Sequence, residues 1–309
     1  MPESPVRAPG RFDIIGAAGL SAGLVCLLLG ISKGGDWGWG SGTTLGLFAA
    51  SVVILLAWGA FELRVPHPLV DLRTTARRQV LLTNLAGIAV GFAMLAQSLV
   101  LPRLTQLPAA TGYGLGQSMV VAGLAVAPVG VAMWLFSPVS AKISAARGPK
   151  VSLMLGGLVT AIGYGAALGM VHAVWQTAIV SAVIGVGIVL AYAAMPALIS
   201  GAVPPSETAA ANGLNTLMRA IGTSSASAVI GVVLSHMTQP LNGVPLPSMN
   251  GFRTSLAIAC VTGVLALLIS AFLPRRGANS PTPSARIGQS VHGGPNPVPA
   301  AAAATGPAA

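Results

Sequence analysis

Long apolar blocks alternate with short polar ones along this chain, and the clearest block pair lies at 117–170. An apolar run at 117–137 is followed by a basic segment at 138–150 (PVSAKISAARGPK) and a second apolar run at 151–170. Each run has about the 20 residues that a helix needs to cross a bilayer. Neither contains a charge, whereas the segment between them carries Lys142, Arg147 and Lys150 and no acid. Basic residues concentrated in short connections mark the cytoplasmic side of a membrane protein. The pattern therefore predicts a tight membrane hairpin with a basic inner turn.

The same theme recurs along the chain. Further spans are expected at 12–32, 42–61, 79–101, 175–200, 209–234 and 252–273. The first run is too long for the core of a signal peptide, no A-x-A site follows it, and more spans do. Trp37 and Trp39, between the first two spans, suit an interface belt. Residues 62–78 form a longer polar stretch, and Pro240, Pro245 and Pro247 mark a loop before the last span. From 274 onward the Pro-, Gly-, Ala- and Ser-rich tail cannot build a packed core. The expected fold is all-α and polytopic, with about eight transmembrane helices. It divides into residues 1–78 with two lead helices, a six-helix domain at 79–274, and a disordered cytoplasmic tail at 275–309.

Charge sorts with this topology. Eight spans put both termini on one side; that side then holds 13 of the Lys and Arg residues and the other holds Lys33, Arg103 and Arg253. The imbalance predicts a multi-pass plasma-membrane protein with both termini in the cytoplasm. Charged residues make up 7% of the chain, against about 25% in soluble domains. The net charge of +10 does not point to nucleic acid, because the basic residues sit in short connections without an aromatic platform. Cys26 and Cys260 lie in apolar runs and suggest neither a disulfide nor a metal site.

The candidate chemistry is sparse. Gly19-Leu-Ser-Ala-Gly23 matches a hydrolase elbow in letters only, since Ser21 is mid-span and no histidine shares its depth. No enzyme, cofactor or metal centre is expected. Gly19/Gly23, Gly42/Gly46, Gly87/Gly91 and Gly165/Gly169 repeat at the spacing that lets membrane helices approach closely. Polar residues line up within three spans: Asn84, Gly87, Gly91, Met94 and Ser98 beside Gln97; Ser181, Gly185, Tyr192, Pro196 and Ser200; and Asn212, Asn215, Arg219 and Gly222. Such stripes serve either for hydrogen bonding between helices or as the wall of an aqueous cavity. Asn84, Gln97, Tyr192 and Asn215 are the candidates for lining a cavity. Arg219, the only charge on those stripes, is the candidate gate or charge partner near the cytoplasmic end. No Asp or Glu falls within any expected span, with Asp13 at the edge of the first and Glu62, Asp71 and Glu207 assigned to connections.

Three stretches carry a resemblance: GLAVAPVGVAMWLFSPVSAKISAARGPK, VPPSETAAANGLNTLMRAIGTSSASAVIG with its Asn215, Arg219, Gly222 arrangement, and RFDIIGAAGLSAGLVCLLLGISKGGDWGW. Together they resemble the C-terminal part of a fourteen-helix drug:proton antiporter of the major facilitator superfamily, over about residues 10–275. The resemblance implies an efflux permease that exports hydrophobic or cationic solutes in exchange for protons, with the lipid bilayer, the solute and protons as partners. It further implies that these eight helices work with a missing N-terminal six-helix half. Without that half, the chain is expected to be an inactive remnant or a scaffold. Lys142, Arg147 and Lys150 match the family's cytoplasmic loop motif, although Ala141 stands where the motif has an aspartate.

Overall fold

The computed structural model describes residues 13–65 and 76–274. The expected polar N-terminus, part of the basic stretch with Arg73, and the tail with Arg275, Arg276 and Arg286 lie outside them.

Among the described residues, nine α-helices supply eight segments long and apolar enough to cross a membrane. They are α1 Ile14–Trp37, α2 Gly42–Glu62, α3 Arg78–Gln106, α4 Met119–Val126, α5 Pro128–Arg147, α6 Pro149–Ala167, α7 Val174–Ser200, α8 Thr208–His236 and α9 Met249–Ala271. α4 and α5 form one span interrupted at Ala127, because Pro128 has no N–H to donate to the carbonyl four residues back. Side-chain oxygens cap four helix starts: Asp13 for α1, Ser41 for α2, Ser118 for α4 and Ser248 for α9. Each accepts a backbone N–H that the helix cannot satisfy itself.

Three local expectations need correction. The hairpin at 117–170 turns tightly as expected, but most of the basic segment at 138–150 is helix and not turn. α5 runs on through Pro138 to Arg147, and Gly148, at φ 87°, makes the turn almost alone. Lys142 and Arg147 therefore stand near the C-terminal end of α5, where the helix dipole favours cations, and Lys150 lies in the first turn of α6. Glu62 is not in a connection either; it is the last residue of α2, 2% exposed, and faces Asp13 across Gly16. The proline-rich loop between the last two spans is a β-hairpin, β1 Thr238–Leu241 paired antiparallel with β2 Val244–Pro247. Asn242 (φ 49°) and Gly243 (φ 80°) turn it, the left-handed pair that a two-residue hairpin loop requires. The Tyr113 hydroxyl donates to the Pro247 carbonyl, and its ring packs on Phe252 with centroids 6.4 Å apart. This fastens the connection after α3 to the hairpin. Burial raises the Tyr113 phenol above its usual pKa, against a smaller lowering by the Thr111 hydroxyl.

The core is assembled by close helix crossings. α3 packs against α7, α8 and α9, while α6 packs against α5, α7 and α9. At the α3–α8 crossing Gly91 lies against the Arg219 backbone and Gly222 against the Ile88 backbone. At the α6–α7 crossing Gly156 and Gly187 play the same part, and Gly157 meets Gly263 of α9. With lipid as apolar as the side chains, such contacts and interhelical hydrogen bonds hold the bundle rather than apolar burial. The lead pair docks outside this body: Leu20, Leu24, Leu55 and Trp58 pack on Leu214, Leu217, Met218 and Ile221 of α8. Ser51 of α2 ties the pair by donating to the Gly23 carbonyl, 2.9 Å away.

Basic side chains close one end of the bundle. Arg77 donates to the Ala202 carbonyl at 2.9 Å and Gln79 to the Leu198 carbonyl at 2.7 Å, both at the C-terminal end of α7. Lys150 donates to the Ala271 carbonyl at 2.8 Å and to the Leu273 carbonyl, at the end of α9. A cation at these unsatisfied carbonyls also meets the negative end of the helix dipole. The starts of α3 and α6 and the ends of α7 and α9 therefore share one face of the bundle, as the alternation of spans requires.

Candidate functional site

Most polar side chains within the spans bond to their own helix. Thr83 donates to the Gln79 carbonyl, Ser98 to that of Met94, Asn212 to that of Thr208 and Thr216 to that of Asn212. Those residues therefore make few demands on neighbouring helices. The exceptions bridge helices, and the largest group of them meets around Arg219.

Asn215 is 1% exposed and Asn84 4% exposed. The Asn215 Nδ2 donates to Asn84 Oδ1 at 3.1 Å and, more weakly, to the Thr83 carbonyl at 3.4 Å. That orientation turns Asn215 Oδ1 toward Arg219, whose Nη1 donates to it. Arg219 Nη2 donates to Thr216 Oγ1 at 3.0 Å and lies 3.4 Å from the Tyr192 hydroxyl. The guanidinium carbon sits 4.4 Å from the centre of the Tyr192 ring, well within cation–π range. Tyr192 itself is 38% exposed. Four of the expected site residues thus form one network across α3, α7 and α8: Asn84, Asn215, Arg219 and Tyr192. α3 packs on both α7 and α8, but these two barely touch each other. The network therefore lies in a groove with α3 as its floor, and Arg219 and Tyr192 stand at the mouth.

Depth follows from helix rise. Arg219 is 11 residues from the start of α8, about 16 Å at ~1.5 Å per residue. Tyr192 is eight residues from the end of α7, about 12 Å. The guanidinium is held at the level of Tyr192 and not drawn out to the helix ends.

Gln97 is elsewhere. It is 2% exposed and donates to the Ser181 carbonyl at 3.1 Å, joining α3 to α7 above the Arg219 network. Lys150 caps α9 as described, and Lys142 and Arg147 are exposed on α5. Two interhelical ties were not legible as stripes. Ser140 and Ser152 contact each other at 2.9 Å and share the Leu190 carbonyl, joining α5, α6 and α7. Tyr164, fully buried, donates to the Ala93 carbonyl between α6 and α3. Its signal was available, as one of three tyrosines in the chain and set within an apolar run. Among the described residues no group of His, Cys, Asp and Glu is arranged to hold a metal. At the elbow-like sequence, Gly19 and Gly23 pack against Trp58 and Leu55 of α2, which is helix packing.

Comparison with known proteins fits this architecture. The chain is 28% identical over 226 residues to a tetracycline resistance determinant of Streptomyces rimosus, covering 72% of this chain and 63% of that protein. It is 26% identical over 231 residues to a tetracenomycin C resistance and export protein of Streptomyces glaucescens, covering 74% and 42%. It is 25% identical over 279 residues to a lincomycin resistance protein of Listeria monocytogenes, covering 84% and 57%. The chain thus spans roughly two fifths to three fifths of the length of these relatives. The family model described as Major Facilitator Superfamily matches residues 85–305, most of the chain, and so the eight-helix protein belongs to the Major Facilitator Superfamily.

Proposed function

We propose that the chain forms eight helices of an efflux permease that exports amphipathic solutes in exchange for protons, working with a complementary six-helix body. The observation that carries this reading is the Arg219–Asn215–Asn84–Tyr192 network. It is polar and pre-organised, set deep between spans, and open on one side in a family of transporters. Relatives named for resistance to tetracycline and lincomycin and for export of tetracenomycin C support the direction of transport. In this reading residues 79–274 are one of two bodies that rock about a midplane site. Tyr192 and Arg219 face the solute, and Asn84 and Asn215, buried behind them, hold the guanidinium in place. The basic end of the bundle lies in the cytoplasm of the plasma membrane, because basic connections are retained there.

Proton exchange needs a titratable group reachable from the solute. Every Asp and Glu among the described residues stands at a helix end or in a connection, so the complementary body supplies that group. Residues 1–309 in proteoliposomes are therefore expected to leave a dye substrate unmoved when a pH gradient is imposed. A six-helix half taken from a related carrier, supplied in trans or fused before residue 1, should restore movement. Robust pH-driven transport by residues 1–309 alone would overturn the proposed division of labour.

A further inference from the structure

The groove between α7 and α8 carries a charge that nothing described neutralises. Among the described residues, Arg219 is the only Lys or Arg more than two turns from either end of its helix. All its recorded partners are neutral: the Asn215 amide oxygen, the Thr216 hydroxyl and the Tyr192 hydroxyl and ring. No carboxylate among the described residues pairs with it. Those bonds occupy Nη1 and Nη2, leaving Nε and one Nη1 hydrogen with no recorded acceptor among the described residues.

A guanidinium held about 12–16 Å inside the helix ends is costly without a counter-charge. The surrounding chain fixes its position without supplying one. Asn84 orients Asn215, Asn215 and Thr216 hold the guanidinium, and the Tyr192 ring lies against it. A held donor with open hydrogens and uncompensated charge is built to receive an acceptor from outside, and a charge-assisted bond to an anion is the strongest it can make. The half-exposed Tyr192 ring beside it offers apolar surface to a hydrophobic frame on the same ligand.

We infer that the Arg219–Tyr192 groove binds an amphiphilic organic anion, a carboxylate or phenolate on an apolar frame, with its oxygen on the Arg219 guanidinium. This rests on the permease reading above and narrows its solute class. It departs from the cationic solute that the family resemblance suggested, because a cation would meet Arg219 with like charge.

The test is a charge series on one frame: naphthoate, naphthamide and naphthylmethylammonium. Each is equilibrated by dialysis with purified residues 1–309 in dodecyl maltoside, with empty micelles as the blank. Naphthoate should bind about tenfold more tightly than naphthamide, with the ammonium weakest. Arg219→Gln should abolish the difference, Arg219→Lys should retain part of it, and Tyr192→Leu should reduce it. If Arg219→Gln does not remain monodisperse, the wild-type series and the Lys variant decide alone. Equal binding across the series, preference for the ammonium, or an anion preference that survives Arg219→Gln would each overturn the inference. Failure of the permease reading would show separately, as absent export in the reconstituted two-body carrier. Export of cations without anion preference would leave that reading intact and remove this one.

Discussion

Gly222 is where the site and the fold are most tightly linked. A Cβ added there would lie 2.9 Å from the Ile88 carbonyl carbon and 3.0 Å from the Phe92 nitrogen. Carbon atoms at ease sit about 3.5–4.0 Å apart, so Gly222→Ala must push α8 away from α3 by roughly 0.6 Å or more at the crossing. The contacts next to it have little slack. Asn215 reaches Asn84 at 3.1 Å and the Thr83 carbonyl at 3.4 Å, and a shift of that size takes both beyond useful hydrogen-bond length. Overpacking costs about 1–3 kcal/mol, and each interhelical polar bond lost within a membrane costs about 0.6 kcal/mol. The better helix propensity of alanine returns up to about 1 kcal/mol. The expected net loss is therefore about 1–3 kcal/mol, read from reversible unfolding of the purified protein in mixed dodecyl maltoside–SDS micelles. Gly213→Ala and Gly231→Ala, on the same helix with nothing within 4 Å of the added carbon, are the controls and should be neutral or stabilising. Gly91→Ala opens the same crossing from the other helix, so the double variant should lose less than the two singles combined. Equal stability of Gly222→Ala and Gly231→Ala would refute the close-crossing argument.

Two further predictions concern the basic end of the bundle. Single cysteines at Ala145 and Gly35, in a protein lacking Cys26 and Cys260, should label oppositely with an impermeant maleimide in intact cells. Labelling at position 35 alone is the expected result, and labelling at 145 from outside would reverse the proposed orientation. Lys150→Met removes the donor to the Ala271 and Leu273 carbonyls and should destabilise the protein by about 1 kcal/mol, discounted for partial exposure from the 1.5–3 kcal/mol of a buried charged bond. Hydrogen exchange at the end of α9 should quicken; unchanged exchange there would show that the contact contributes nothing.

The spans were legible because hydrocarbon demands about 20 apolar residues in a row, a requirement that leaves a strong mark in any sequence. The crossings were less so. Four-residue glycine spacing found Gly19/Gly23 and Gly87/Gly91, which do pack on α2 and α8. It also found Gly42/Gly46 and Gly165/Gly169, where an added Cβ would meet nothing closer than 4.0 Å, and passed over the single Gly222 and the Gly156–Gly157 doublet. Spacing reports that one face is small; the partner helix decides whether that face is used, and no local pattern encodes the partner. Asn84, Asn215 and Arg219 could be picked out because polar groups are rare within spans. Their connection to Tyr192 depends on α7 and α8 both packing on α3, which is a tertiary fact. Gln97 carried the same signal and bonds to a backbone carbonyl instead. The hairpin was missed although Leu-Asn-Gly-Val contains the strongest short hairpin signal, because three prolines nearby read as an irregular loop.

The capping contacts at the ends of α7 and α9 also have a consequence in time. Arg77 is separated from Ala202 by 125 residues, and Lys150 from Ala271 by 121. At about 5–20 residues per second of synthesis, each basic residue emerges some 6–25 s before its carbonyl partner exists. During that interval its charge can bias which way the nascent helix enters the bilayer. Afterwards the returning helix ends occupy the same side chain, so one residue acts first on insertion and later on assembly. Substituting Arg77 or Lys150 thus disturbs two events separated by many seconds, and pulse-labelling during synthesis can distinguish an inverted helix from one inserted correctly but never locked.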